Sequence, residues 1–203
     1  ATLVLMTAQV TPFFVFAPKA GALDTGFLLP TSTHAPNEWG ASSLGDANNA
    51  FTNDGQYAQA NPENEPEQGY SGFDIPTIPA GSSIDGIYLQ VEASSSDNGS
   101  DCDLDAELSW NNGANFTNGA STQSLSSSDT LEDFGSSTSL WGRTWSSSDF
   151  TNVNFVVSLK AVDPSQCSNS SVTSVDYLQV KIFYTAPIVN TLNPLLSQAC
   201  GLD

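Results

Sequence analysis

The chain has 203 residues, with 4 Lys and Arg against 22 Asp and Glu, a formal net charge of −18. That length suffices for one domain with a core of its own, plus tails. A surface this negative repels nucleic acid and anionic membranes, whose binding needs clustered Lys and Arg, so neither is expected as a partner.

Residues 1–20, ATLVLMTAQVTPFFVFAPKA, are as apolar as the core of a secretory signal. They lack a basic leader, and Thr7, Gln9, Thr11 and Pro12 break them up, which makes a poor membrane helix. Read as a strand, the segment is apolar on both alternation faces. Leu3 and Leu5 lie on one, Val4, Met6 and Val10 on the other, and Phe13, Phe14, Val15 and Phe16 continue the pattern. Such a strand must be buried on both sides, and left in water it is an aggregation hazard. It is expected either to fold back as an extra core strand or to insert into a neighbouring copy as a donated strand. The second contact is head-to-tail and non-closing, so it propagates as a filament. Residues 21–36, with Gly21, Gly26 and Pro30, read as the linker that crosses between subunits.

From residue 37 to 186 the pattern is β throughout, with period-two alternation and no clear helical period. In IDGIYLQVEA, Ile87, Leu89 and Val91 point one way and Tyr88, Gln90 and Glu92 the other. In CDLDAELSW, Leu104, Ala106, Leu108 and Trp110 form an apolar face opposite Asp103, Asp105 and Glu107. VNFVVSLKA is expected to turn Val153, Phe155, Val157 and Leu159 inward and Asn154, Ser158 and Lys160 outward. The longest strand is VDYLQVKIFYT, where Leu178, Val180, Ile182 and Tyr184 share one face. Alternation of this kind predicts antiparallel sheets with one wet side, hence a sandwich or barrel. Residues 187–203 form a proline-containing tail.

Four stretches in order, NNAFTNDGQYAQA, GFDIPTIPAGSSIDGIYLQVEA, LWGRTWSSSDFTNVNFVVSLKA and SVDYLQVKIFYT, resemble a jelly-roll module of phage virion and prokaryotic cell-surface proteins. The resemblance implies an all-β antiparallel jelly-roll sandwich preceded by an extended apolar N-terminal strand, with no active site in the module. It gives Ile75-Pro76 and Pro79-Ala80-Gly81 the task of shaping a strand entry. Trp141 and Trp145 would cap the sandwich, and Asp176 would bind loop amides. The N-terminal extension resembles the donor strand of extracellular filament subunits.

Chemistry is sparse. His34 is the sole histidine and lies in PTSTHAPNEW without a nucleophile motif, so no catalytic residue and no enzyme is expected. Asp97, Asp101, Asp103 and Asp105 crowd one turn and strand in SSDNGSDCDLDAE. Hard oxygens at that density admit calcium as a cofactor, although the spacing is not an EF-hand and solvent-facing alternation is the favoured explanation. Otherwise no cofactor is expected. Asn98, Asn115 and Asn169 match the N-glycosylation pattern, so N-linked glycans are admitted. Of three cysteines, Cys102 and Cys167 are expected to pair at one end of the sandwich. That would leave Cys200 over, and closing a loop of about 65 residues contributes about 4 kcal/mol in the entropy model. Cysteines and sequons together place the protein outside the cytoplasm, at the cell surface.

The sequence is therefore expected to be a subunit of an extracellular, pilus-like filament, polymerising with copies of itself through residues 3–16. A virion decoration or tail protein, or a carbohydrate-binding surface module, are its alternatives.

Overall fold

Among the described residues ten strands follow one another, with apolar residues recurring at every second position. In the computed structural model the described residues are 21–40, 45–97, 102–121, 124–163, 167 and 170–188. The strands are β1 (Ala22–Asp24), β2 (Ser32–Asn37), β3 (Ala58–Ala60), β4 (Glu67–Ser71), β5 (Ser83–Ser95), β6 (Asp103–Ser109), β7 (Ala120–Ser121), β8 (Thr130–Ser136), β9 (Val156–Val162) and β10 (Thr173–Thr185). Short 3-10 turns at Ala47–Ala50, Pro62–Asn64 and Ser147–Asp149 are the only helical pieces among the described residues.

One sheet has the order β1-β10-β5-β8, with β3 also on β10; the other runs β2-β4-β9-β6-β7. Every pairing is antiparallel. From β3 onward, consecutive strands cross from one sheet to the other, except for the β6–β7 pair. This gives β3-β10-β5-β8 packed on β4-β9-β6-β7, which is the strand order of a jelly roll. The sequence expectation of an all-β jelly-roll sandwich holds.

The core lies between the sheets. Ile87, Leu89 and Val91 of β5 and Leu178, Val180 and Ile182 of β10 are fully buried on one side; Leu104, Ala106, Leu108, Val157 and Leu159 are fully buried on the other. Aromatic rings close one end. Trp145 stacks on Phe150 with centroids 5.3 Å apart and meets Phe155 edge-on at 6.1 Å. The Arg143 guanidinium lies 3.9 Å from the Trp110 ring and 4.3 Å from Trp145, and pairs with Asp149. Trp141 Nε1 donates to the Ile87 carbonyl at 2.9 Å, and both Trp141 and Trp145 are buried. The Cys102–Cys167 disulfide forms as expected, with Cα atoms 5.0 Å apart and a sequence separation of 65.

Two expectations need correction. Residues 21–36 are not a free linker. β1 pairs with Phe183–Thr185 of β10, Leu28 bridges to Val180, and β2 pairs with β4. Glycine and proline suggested a linker, but both sheet edges tolerate them: Pro36 sits in edge strand β2 after a cis peptide bond, where the β2–β4 register is irregular. Val153 is not inward but 68% exposed, because a turn precedes β9 and delays the alternation until Val156. Ser158 does face away from the core, yet it is buried at 4%, in the row formed by His34, Gly69, Ser158 and Glu107.

Candidate functional site: the outer face of the β10–β5–β8 sheet

The register of β10, β5 and β8 sets outward side chains in rows. Lys181 stands beside Tyr88, and Tyr88 beside Gly135; next come Gln179, Gln90 and Asp133, then Tyr177, Glu92 and Leu131. Neighbouring strands are about 4.8 Å apart and successive outward residues about 6.8 Å apart along a strand. The face is thus a shallow grid of polar and aromatic groups.

Hydrogen bonds tie the grid together across strands. Gln179 Nε2 donates to Gln90 Oε1 at 2.8 Å, and Gln90 Nε2 donates to the Tyr88 hydroxyl at 2.9 Å and to Asp133 Oδ1 at 3.1 Å. The Tyr88 hydroxyl donates to the same Asp133 oxygen at 2.6 Å. A second group forms at the β3 end. Tyr57 donates to Asp129 Oδ2 and Ser94 to Asp129 Oδ1, each at 2.7 Å, while Asn53 Nδ2 donates to Glu92 Oε2 at 2.7 Å. At the other end Phe27 tilts against Tyr88 with centroids 5.8 Å apart. Lys181 Nζ lies 4.1 Å from the centre of the Phe27 ring and 5.9 Å from that of Phe183. A positive charge over a ring face is attracted by the ring quadrupole, which fixes both groups.

The local field is negative. The hydrogen bond to Asp129, then that carboxylate's charge, pushes the Tyr57 hydroxyl up to about 12. Burial first, then the bond to Asp133, raises Tyr88. Burial first, then the charges of Asp176 and Asp129, raises the Glu92 carboxyl, and the Asn53 hydrogen bond opposes the shift.

Asp176 anchors the loop that carries Asn53. It occupies the irregularity between Val175 and Tyr177 in the β10–β5 register and is 4% exposed. Its carboxylate accepts from the backbone N–H of Asp54 at 3.3 Å and of Gly55 at 3.1 Å, which is the amide-binding role the resemblance implied. Gly135 shapes the same face from β8. It has φ +72°, and a Cβ there would lie 2.4 Å from the Ile87 carbonyl oxygen and 2.6 Å from Trp141 Nε1. Only glycine lets the 136–141 turn close against β5.

The other sequence-named residues fall elsewhere. Leu3, Val4, Leu5, Met6, Val10, Phe13, Phe14, Val15 and Phe16 lie outside the described residues, as do Asn98, Asp101 and Asn169. Asn115 is exposed in the turn after β6, and Thr117, two positions on, is buried with its hydroxyl accepting from the Leu108 N–H at 3.0 Å. Asp103 and Asp105 both lie on β6, on the opposite sheet's outer face, whereas Asp97 accepts from the Ser171 hydroxyl at 2.9 Å. No group of three or more metal-ligating side chains occurs among the described residues. His34 ties the chain locally: Nδ1 lies 2.7 Å from the Ala35 carbonyl and Nε2 lies 2.9 Å from Asn112 Oδ1. An open pocket of about 330 Å³, lined by Thr33, Asn37, Trp39, Asp46 and Asn48 among others, lies at the β2 edge.

Sequence reasoning named Tyr88, Gln90 and Glu92 as outward but missed their partners Phe27, Gln179, Lys181 and Asp133. The available signal was that outward positions of two long strands carry aromatic and amide groups in place of the usual charges.

No family model matches the chain, and no curated protein matches it. Solved structures similar to it include a family 16 carbohydrate-binding module, 12% identical over 75% of this chain and 98% of the module, TM-score 0.38. Another is the CBM36-1 domain of a multidomain xylanase from the hindgut metagenome of Trinervitermes trinervoides, 11% identical over 79% and 96%, also at 0.38. A third is a CBM32 module from Clostridium perfringens in complex with GalNAc-β-1,3-galactose, 17% identical over 79% and 93%, again at 0.38. Likenesses at this score leave the fold to be assigned from the chain's own strand order.

Proposed function

We propose that this chain is a non-catalytic, extracellular carbohydrate-binding module that lays a glycan across the outer face of β10, β5 and β8. The observation that carries the reading is the joined pair of surfaces on that face: Phe27 beside Tyr88, continuous with the Tyr88–Gln90–Gln179–Asp133 hydrogen-bonded row. Sugar rings offer one apolar face of C–H groups and an equatorial rim of hydroxyls. Binding them takes an aromatic plane next to fixed polar groups, and cross-strand bonding holds those groups in place before the ligand arrives, which lowers the ordering cost. The disulfide supports an oxidising, extracellular setting.

The test is affinity electrophoresis of the whole chain through gels containing soluble polysaccharides, followed by calorimetry. Tyr88→Ala is expected to weaken binding about tenfold or more, equivalent to about 1.4 kcal/mol. Absence of binding to any glycan, or a Tyr88→Ala affinity equal to the parent's, overturns the reading.

Polymerisation through residues 3–16 is a second reading, supported by the two apolar alternation faces of that strip. Electron microscopy of a chain deleted for residues 1–18 decides it: filaments that persist without the strip overturn strand donation.

A further inference from the structure

We infer that this face selects uncharged, hydroxyl-rich glycans and excludes uronate and sulfated ones; the inference rests on the carbohydrate-binding reading above. The argument is a count of donors and acceptors along the central row. The Gln179 amide donates to Gln90, the Gln90 amide donates twice, and the Tyr88 hydroxyl donates to Asp133. The row thus spends both Gln90 N–H groups, the Tyr88 hydroxyl and one of the two Gln179 N–H groups on itself. What it turns outward is acceptor capacity, above all the second oxygen of the exposed Asp133 carboxylate. In the neighbouring group, the Tyr57 and Ser94 hydroxyls are likewise spent on Asp129 and one Asn53 N–H on Glu92.

A face whose donors are mostly committed and whose exposed carboxylates only accept favours a ligand that brings donors of its own. Sugar hydroxyls donate as well as accept, so a neutral glycan satisfies it. A carboxylate or sulfate only accepts. It finds few uncommitted donors there, and it would meet Asp129, Asp133 and Glu92 at close range. Lys181, held over the Phe27 ring beside Tyr88, is outnumbered by those three carboxylates. Where a weaker site of the same shape would be indifferent, the penalty of an unpaired group makes the discrimination steep.

The experiment uses the full chain with hydroxyethylcellulose and galactomannan as neutral probes and polygalacturonate and chondroitin sulfate as anionic ones. Each is run at low salt and at about 1 M salt, where the Debye length falls to about 3 Å. Neutral polymers are expected to bind and anionic ones to fail at both salt concentrations. An anionic polymer that binds as well as the neutral ones, or that binds once salt screens long-range repulsion, overturns the inference and leaves carbohydrate binding standing. No binding to any probe overturns both. Asp133→Asn supplies the second readout, since it keeps shape and folding while adding a donor. It should narrow the gap between the neutral glycans and polygalacturonate. Glu107→Gln, on the opposite sheet, should change neither.

Discussion

The β10–β5–β8 face presents rows of Lys181 and Tyr88, then Gln179, Gln90 and Asp133, then Tyr177, Glu92 and Leu131. The β4–β9–β6 face presents Glu67, Lys160 and Asp105, then Gly69, Ser158 and Glu107. Both arise from the same period-two alternation, and both point away from the core. On the second face a lone lysine is ringed by carboxylates: Lys160 bonds to Glu65, and that bond, with the charges of Glu65, Glu67 and Asp105, raises its pKa against the opposing effect of burial. On the first face aromatic planes interrupt the charges, and the polar groups bind one another across strands. Alternation decides only which residues meet water. Whether a wet face can hold something is decided by what stands at those positions and how firmly.

The sharpest way to separate the faces is to break the support beneath the first. Gly135→Val places a side chain where a Cβ already lies 2.4 Å from the Ile87 carbonyl oxygen, at φ +72°. Strain and overpacking each cost about 1–3 kcal/mol, so a loss of about 3 kcal/mol is expected, lowering Tm by about 10 °C in a domain this size. On the second face Lys160→Gln removes an exposed ion pair with Glu65 and should cost under about 1 kcal/mol. Thermal melts of the two variants should therefore differ several-fold in their shifts. Equal shifts would mean that Gly135 is not the support described.

A smaller effect is expected at Asp176. Asp176→Ala leaves the Asp54 and Gly55 amides without their carboxylate, at about 1–3 kcal/mol. It also frees the loop whose Asn53 holds Glu92, so glycan binding should weaken together with stability. Asp176→Asn retains an acceptor oxygen and should recover part of both. Chemical denaturation beside calorimetry checks this; binding unchanged in Asp176→Ala would detach that loop from the site.

The sandwich was legible because β5, β6 and β10 alternate cleanly, and because two cysteines bracket strands that a sandwich brings to one end. The edge strands were not. β1 and β2 are short and mostly exposed, with residues such as Pro36 that also suit linkers, so their pairing depends on β10 and β4 far along the chain. The same nonlocality hid the site. Tyr88 and Gln90 read as outward from β5 alone, but Gln90 meets Gln179 across 89 positions and Phe27 meets Tyr88 through a segment read as linker. A single sequence carries no signal for such register.

The smallest difference between the faces should appear as a response to pH. Burial first, then the charges of Asp176 and Asp129, raises Glu92 on the first face. Burial first, then Glu67 and Asp105, raises Glu107 on the second. A carboxyl whose folded pKa lies above its unfolded one binds its proton more tightly when folded. Its stabilising contribution is complete below the unfolded value and is lost as pH rises through the folded value. Repulsion within a chain of net charge −18 adds in the same direction. Tm at pH 5 should therefore exceed that at pH 8, by about 1–3 °C. Glu107→Gln, which cannot ionise, should raise Tm slightly at pH 8 and flatten the dependence without touching glycan affinity. Glu92→Gln should flatten it too, but it alters binding because it lies on the glycan face. Scanning calorimetry of both variants across that range is the check. A Tm that rises toward pH 8, or a Glu107→Gln variant less stable there than the parent, would show that these half-buried carboxylates are better paired than their surroundings indicate.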